Sequence, residues 1–192
     1  KRGRLDVAPH PFSSGTQFDA RVTTRFGEDP LDALTSTVHE FGHATYTLGL
    51  PDEEYGTPLG EARDLTVHES QSRLWENHVA RTRAFWEQIH PILREHVPAL
   101  NGVSTEAMYE AVNRVKPANP IRVTADELSY HLHILVRHRT ERELLRGDLS
   151  VSEVPEYWND TFESFFGFRP ATDADGCLHR GRRRREARRG SR

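Results

Sequence analysis

The alternation of apolar and polar residues predicts a mainly helical chain with one short strand near its start. Between Phe18 and Phe26 the two kinds of residue alternate one by one, which is typical of a strand with one polar face. The residues of that polar face are Asp19, Arg21 and Thr23. From residue 30 to residue 48 apolar residues recur instead at spacings of three, four and seven. This second pattern predicts an amphipathic helix.

Both ends of that helix are marked in the sequence. Asp29 suits the N-cap and Pro30 suits the first helical position. Gly49 followed by Pro51 is a normal helix stop. The apolar stripe of the helix consists of Leu31, Leu34, Val38, Phe41 and Leu48.

Three further helices are predicted downstream. The first follows a loop at residues 56–60 that is rich in glycine and proline, and it runs from residue 67 to about 89. The second opens with a T-x-x-E capping box at residues 124–127 and ends at Gly147. The third runs from about residue 153 to 166. The predicted fold class is therefore mainly α, with a small β region beside the first helix.

The second half of the first helix carries His39-Glu40-Phe41-Gly42-His43, the H-E-x-x-H signature of zinc peptidases. Residues four apart on a helix lie on one face, so His39 and His43 can bind one metal ion. Glu40 then lies beside that metal, where it can take a proton from a water molecule. Two unrelated surface histidines are the alternative interpretation.

A catalytic zinc site uses three protein ligands and keeps a fourth position open. The metzincin pattern requires glycine at 46 and histidine at 49, and the chain has Tyr46 and Gly49, which excludes that class. Gluzincins take the third ligand from a glutamate on a later helix, and Glu69, 26 positions after His43, is the favoured candidate. The competing candidates are Glu53, Glu54, Glu61, His68 and Glu76.

Four other motifs accompany the H-E-x-x-H sequence in order along the chain. They are His10-Pro11-Phe12, Asp19-Ala20-Arg21-Val22-Thr23, His68-Glu69-Ser70-Gln71 and Ile121-Arg122-Val123-Thr124-Ala125-Asp126. With these motifs, roughly residues 5 to 178 resemble the family M32 metallocarboxypeptidases of the carboxypeptidase Taq type. The resemblance implies a gluzincin-like helical metallopeptidase fold, Glu69 as third ligand, and Zn²⁺ or alternatively Co²⁺ as the metal.

The resemblance also implies a carboxypeptidase that releases single amino acids from peptides with a free C-terminus. Such an exopeptidase must bind a carboxylate, and a guanidinium does so with two parallel hydrogen bonds. Arg122 is the first candidate for this role and Arg21 the second, while His10 can hydrogen-bond the substrate. The alternatives are ordinary surface roles, such as an ion pair between Arg122 and Asp126 or Glu127.

Two other functional classes stay open from the sequence. A gluzincin endopeptidase would share all three metal ligands but would accept an amidated C-terminus. An inactive or weakly active fragment is the second, because the resemblance implies that residues 1–178 are part of a single catalytic domain whose N-terminal part is missing. The resemblance also implies a homodimer for the full-length protein.

The family's last motif, G-x-x-Q-D-x-H-W, should begin at Gly176, but His179 and Arg180 stand where glutamine and aspartate are expected. Residues 179–192 form an arginine-rich tail instead, with eight arginines and one glutamate. An abrupt change of this kind within a motif suggests a shifted reading frame in the gene. Resequencing around codon 178 would disprove this hypothesis if no displaced frame were found.

Charge and cysteine content narrow the possible partners. The net charge is −3 although the tail is strongly basic, so the rest of the chain is acidic. Because the tail also lacks aromatic residues, a nucleic-acid partner is not predicted. Cys177 is the single cysteine, which excludes an internal disulfide and suits a reducing, cytoplasmic location. No apolar run has the length of a membrane span, so no membrane partner is predicted.

Overall fold

The computed structural model describes residues 2–27 and 30–179 of the 192-residue chain. The chain divides into two compact units, Lys1–Val112 and Asn113–Arg192. The single catalytic domain expected over residues 1–178 stays a prediction. The expected arginine-rich tail lies, apart from His179, outside the described residues.

The described part of the first unit contains a small sheet and four α-helices. Its strands are β1 (Gly3–Val7), β2 (Phe12–Thr16) and β3 (Asp19–Thr24). Its α-helices are α1 (Pro30–Leu48), α2 (Leu65–Arg73), α3 (Arg83–His96) and α4 (Thr105–Val112), and a π-helix, Leu74–Val79, directly follows α2. The described part of the second unit contains α5 (Glu127–Arg146) and α6 (Val154–Phe166). The mainly helical fold class with a small β region is confirmed. No helix among the described residues has both the length and the apolar character needed to cross a membrane.

The strand predicted between Phe18 and Phe26 is β3, the central strand of the sheet. The strand order is β1-β3-β2, with β1 parallel and β2 antiparallel to β3. The sequence did not indicate β1 and β2, because each has only five residues and presents mostly exposed side chains. Their strand conformation depends on pairing with β3, and pairing of this kind is not visible in a local pattern.

β3 connects the sheet to the start of α1 through its buried side. Ala20 and Thr24 are each 3% exposed, and the Thr24 hydroxyl donates a hydrogen bond of 3.1 Å to the carbonyl of Ala33 on α1. Phe18 and Phe26, which the alternation placed on the same apolar face, are exposed. The prediction is therefore correct for the middle of the strand and wrong at its two ends, because Phe18 and Phe26 lie outside β3.

α1 ends at Leu48, as the sequence indicated, and the predicted N-cap Asp29 lies outside the described residues. The backbones of α1 and α2 lie close together at Gly42. A Cβ atom built on Gly42 would lie 2.6 Å from the Gln71 carbonyl oxygen and 2.6 Å from the Cα of Ser72. A side chain therefore does not fit at this position of the H-E-x-x-H motif, and the missing side chain allows α2 to lie directly against the motif.

The substitution Gly42→Ala is expected to lower the free energy of unfolding by about 1–3 kcal/mol, since backbone atoms of α2 would have to move to admit the methyl group. In an exposed helix interior the same change raises the free energy of unfolding by about 1 kcal/mol. The sign of the measured change therefore distinguishes a tightly packed Gly42 from an exposed one. Chemical denaturation of the purified chain measures it. Gly27→Ala is the control, because an added Cβ meets nothing within 4 Å there. Unchanged or higher stability of Gly42→Ala would contradict the close helix contact.

The single helix predicted from residue 67 to about 89 is wrong, because the structure divides this stretch into three segments. α2 begins earlier, at Leu65, where the Asp64 side chain accepts a hydrogen bond of 2.8 Å from the Val67 amide. It continues as the π-helix, and α3 then starts anew after Thr82, whose hydroxyl accepts from the Phe85 amide at 3.2 Å. Apolar spacing does not register a π-turn or a short break, which explains the difference.

The predicted capping box at residues 124–127 is also wrong. Residues Arg122–Thr124 form a 3₁₀ turn, and α5 is capped by Asp126, whose carboxylate accepts hydrogen bonds from the amide and the hydroxyl of Ser129. The other predicted helix ends are confirmed. Gly147 and Gly167 follow α5 and α6 with φ of +80° and +74°, a conformation that glycine adopts at little cost.

The core of the second unit is aromatic. Trp158 and Phe162 from α6 pack against Val136 from α5. His133, only 2% exposed, lies beside Phe162 and Phe166 with ring centroids 5.6 Å and 4.6 Å away. Burial lowers the pKa of His133 to about 4, although a hydrogen bond with the Asn119 backbone opposes the shift. A neutral histidine packed in this way is part of the aromatic core.

Candidate metal centre

His39 and His43 lie one turn apart on α1 and direct their Nε2 atoms toward the Glu69 carboxylate on α2. The Oε2 atom of Glu69 is 3.7 Å from Nε2 of His39 and 3.4 Å from Nε2 of His43. All three ligand atoms lie within 4.8 Å of one another. Within the described part of the chain, this is the one such group of histidine, cysteine or acidic side chains able to hold a metal ion. The structure thus brings together the three residues that the sequence favoured as ligands.

The spacing of these atoms fits a tetrahedrally bound transition metal. Two ligand atoms at the usual distance of about 2.0–2.1 Å from zinc are about 3.3 Å apart when the angle between them is tetrahedral. The distances of 3.4 Å and 3.7 Å to Glu69 are close to this value. Imidazole nitrogen and carboxylate oxygen are also donors that such metals accept.

The opposite ring nitrogen of each histidine contacts another protein group. Nδ1 of His39 lies 2.8 Å from Oε2 of Glu76, in the π-helix. Nδ1 of His43 lies 3.1 Å from the carbonyl oxygen of His68 and 2.6 Å from the His68 Nδ1. When Nδ1 donates to an acceptor, its proton is held there and the Nε2 lone pair stays available to a metal. Glu76 and His68, which competed with Glu69 as ligands in the sequence, therefore contact the other side of the histidine rings.

The Glu69 carboxylate is held in its charged form by its neighbours. Arg73 Nε donates to Oε1 at 3.1 Å, and the Ser72 hydroxyl donates to Oε2 at 3.1 Å. Burial alone would raise the pKa of Glu69, but the hydrogen bond from His43, the charges of His39 and Arg73 and the hydrogen bond from Ser72 together lower the pKa to about 2. Gln71, the last residue of the H-E-S-Q motif, donates a hydrogen bond to the Ser70 hydroxyl.

Glu40 is buried directly beside this group, with 8% of its surface exposed. Burial raises the pKa of the Glu40 carboxyl, and the charges of His39, His43 and His10 act in the opposite direction. A carboxylate whose charged form is partly desolvated accepts a proton more readily than one in water. Glu40 therefore lies where its carboxylate can accept a proton beside the two histidines.

The H-P-F and D-x-R-x-T motifs meet on the exposed side of the sheet. The Thr23 hydroxyl donates to the His10 carbonyl at 2.7 Å, which ties the loop of the first motif to β3. On the same strand Arg21 Nε donates to the Asp19 carboxylate at 2.7 Å. Arg21 and His10 both present exposed side chains, and His10 is close enough to Glu40 for their charges to interact.

Arg122 lies in the second unit. It donates a hydrogen bond to the Tyr130 hydroxyl, and its guanidinium lies over the Tyr130 ring, 5.4 Å from the centroid. The ion pair with Asp126 that the sequence left open is absent from the residues that the structure describes. The Asp126 carboxylate accepts instead from the backbone amide of Lys116, at 2.9 Å, and from Ser129.

Two histidines one turn apart, an adjacent buried glutamate and a glutamate on the next helix form the arrangement of side chains that is typical of gluzincin metallopeptidases. The sequence profile of the carboxypeptidase Taq (M32) metallopeptidase family matches residues 1–180. The chain belongs to this family.

Characterised relatives and solved structures agree with this assignment. The chain is 48% identical over 178 residues to thermostable carboxypeptidase 1 of Thermus thermophilus, covering 92% of this chain and 35% of that protein. It is 41% identical over 181 residues to thermostable carboxypeptidase 1 of Pyrococcus furiosus, covering 92% of this chain and 36% of that protein. The structure of the M32 carboxypeptidase from Deinococcus radiodurans R1 superposes with a TM-score of 0.86 at 47% identity, over 93% of this chain and 36% of that one. The chain thus spans about a third of the length of these relatives.

Proposed function

We propose that this chain carries the catalytic metal centre of a zinc-dependent carboxypeptidase that removes single residues from the free C-terminus of peptides. The observation that supports this most directly is the convergence of His39, His43 and Glu69 beside the buried Glu40, in a chain of a carboxypeptidase family. His39, His43 and Glu69 are the metal ligands in this proposal, and Zn²⁺ is the metal, with Co²⁺ as a functional substitute.

A bound divalent cation would polarise the scissile carbonyl and make the attacking water more acidic. Glu40 takes the proton from that water and passes it to the leaving amine. The Nε2 atoms of His39 and His43 both face the Glu69 carboxylate, so these three side chains would hold the cation. With a pKa of about 2, Glu69 stays anionic over the working range of pH.

Recognition of the free C-terminus is assigned to Arg122, with Arg21 and His10 as further substrate contacts. What supports Arg122 is its partial burial and its use of the Tyr130 hydroxyl, rather than the Asp126 carboxylate, as a hydrogen-bond partner. A guanidinium that is not paired with an acid can bind a substrate carboxylate by donating two hydrogen bonds to it. Arg21 is held by Asp19 at 2.7 Å, which orders its side chain on the exposed face of β3.

The test is digestion of a free-acid peptide and its C-terminally amidated twin by the zinc-loaded chain, followed by mass spectrometry. We expect a ladder of single-residue losses from the free acid alone, abolished by a chelator and restored by added Zn²⁺. Equal cleavage of the amide inside the peptide would indicate an endopeptidase. No cleavage by metal-loaded protein would contradict the proposed activity for this chain while leaving the metal centre in place.

A further inference from the structure

One partly buried carboxylate beside the metal centre belongs neither to the three ligands nor to the base. The side chain of Glu76 is 18% exposed, and its Oε2 atom lies 2.8 Å from Nδ1 of His39. That contact is shorter than the 3.7 Å between Nε2 of the same ring and Glu69. The His39 ring is thus held between two carboxylates, and Glu76 makes the closer contact.

We propose that Glu76 is a positioning residue for the metal centre: it accepts the Nδ1–H of His39 and so sets the tautomer, ring orientation and basicity of that ligand. The inference rests on the proposed metal site and adds to it a residue that orients one of the ligands. A carboxylate on the far nitrogen of a metal-binding histidine fixes the ring and makes the ligating nitrogen a stronger donor.

The local backbone supports a special role for this position. Glu76 lies in the π-helix, in which the Ala80 amide donates to the carbonyl of Trp75, five residues earlier, at 2.9 Å. Single π-turns that follow or interrupt α-helices often occur at functional sites. The same segment is anchored to α1 by Trp75, whose ring contacts Phe41 edge to face with centroids 4.9 Å apart. Two neighbouring residues of the π-helix therefore contact two residues of the H-E-x-x-H helix.

Arg73 joins Glu76 to the third ligand. Its Nη1 donates to Oε2 of Glu76 at 2.9 Å and its Nε donates to Oε1 of Glu69 at 3.1 Å. One guanidinium thus donates to both carboxylates and links them. A partly buried acid costs free energy when its charge is unpaired, and the ion pair with Arg73 offsets part of that cost.

The Nδ1 atoms of the two proposed histidine ligands have different partners. The effect of Glu76 on His39 can therefore be measured separately. His43 has a neutral carbonyl and an imidazole at Nδ1, whereas His39 has a carboxylate. Removing Glu76 should therefore weaken one ligand and leave the other unchanged. Glu76→Gln keeps the size and an acceptor oxygen but removes the charge, while Glu76→Ala removes both.

The experiment compares the full chain with Glu76→Ala, Glu76→Gln and the control Glu95→Ala. Glu95 is an exposed acid on α3. Zn²⁺ affinity is measured by competition with a chromogenic chelator, and the Co²⁺ form is examined by visible absorption. We expect Glu76→Ala to lose about 10- to 100-fold in Zn²⁺ affinity and to change the Co²⁺ spectrum, with a smaller loss for Glu76→Gln and none for the control.

A purely structural role for Glu76 would lower the stability of the metal-free chain but leave both metal measurements unchanged, and that result would overturn the proposal. If Glu76→Ala does not fold, Glu76→Gln decides, because wild-type affinity and spectrum in that variant would contradict a role for the charge. If the unaltered chain binds no Zn²⁺, the proposed function fails as well. Metal binding by the unaltered chain without any effect of the variants overturns this inference alone.

Discussion

Replacing Glu40 by glutamine is expected to lower kcat/KM for peptide hydrolysis by about 10²–10⁴-fold while leaving the metal bound. Glutamine has nearly the same shape as glutamate but cannot accept the proton of the attacking water. Glu40 is buried beside the histidines without being one of the three clustered ligand side chains, so the loss should fall on proton transfer and not on metal binding. The measurement is hydrolysis of a free-acid peptide together with metal content by elemental analysis.

Glu53→Gln is a suitable control for this experiment, because Glu53 is an exposed acid in the turn after α1. It should retain full activity and full metal content. Hydrolysis by metal-loaded Glu40→Gln at the unaltered rate would exclude Glu40 as the base. Loss of metal together with activity would instead assign Glu40 a role in holding the ion.

Replacing Glu69 by alanine is expected to weaken Zn²⁺ binding by more than about 100-fold, which exceeds the loss expected when only an outer partner of a ligand is removed. Glu69 supplies the anionic oxygen that faces both Nε2 atoms, at 3.4 Å and 3.7 Å. Because binding to the folded state raises its stability, added Zn²⁺ should raise the melting temperature of the unaltered chain and not that of the variant.

Competition with a chelator gives the affinity, and a thermal melt with and without Zn²⁺ gives the stabilisation. Glu61→Ala is the matched control, since Glu61 is an exposed acid that the sequence left as a competing ligand. Normal Zn²⁺ affinity in Glu69→Ala, with weakened affinity in Glu61→Ala, would show that the third ligand had been wrongly assigned.

Several features of the centre could be predicted because they depend only on local helix geometry. Residues four apart on a helix share a face whatever the rest of the fold does, so His39 and His43 were predictable as a pair. The ends of α1, α5 and α6 were predictable for the same reason, since Gly147 and Gly167 stop a helix through their own backbone freedom.

The third ligand was only partly predictable. Spacing alone left Glu69 among six candidates, and the resemblance of the H-E-S-Q segment to a family motif singled it out. The structure places Glu69 against both histidines, and it places Glu76 and His68 on the opposite nitrogens. Which of these neighbouring side chains faces the Nε2 atoms depends on differences in position of only a few ångströms. A sequence pattern carries no information at that scale.

By itself, the sequence determined the helical class, the H-E-x-x-H pair, the candidate base and the family motifs, because each depends on short-range spacing or on residue identity. Three features became visible only in the tertiary structure. They are the three-stranded sheet, the close approach of the α2 backbone to Gly42, and the contact between the Glu76 carboxylate and His39. Glu76 and His39 are 37 positions apart along the chain, and Gly42 meets Gln71 across two helices. Contacts of this kind arise only when the chain folds back on itself, so their energies leave no periodic trace in the sequence.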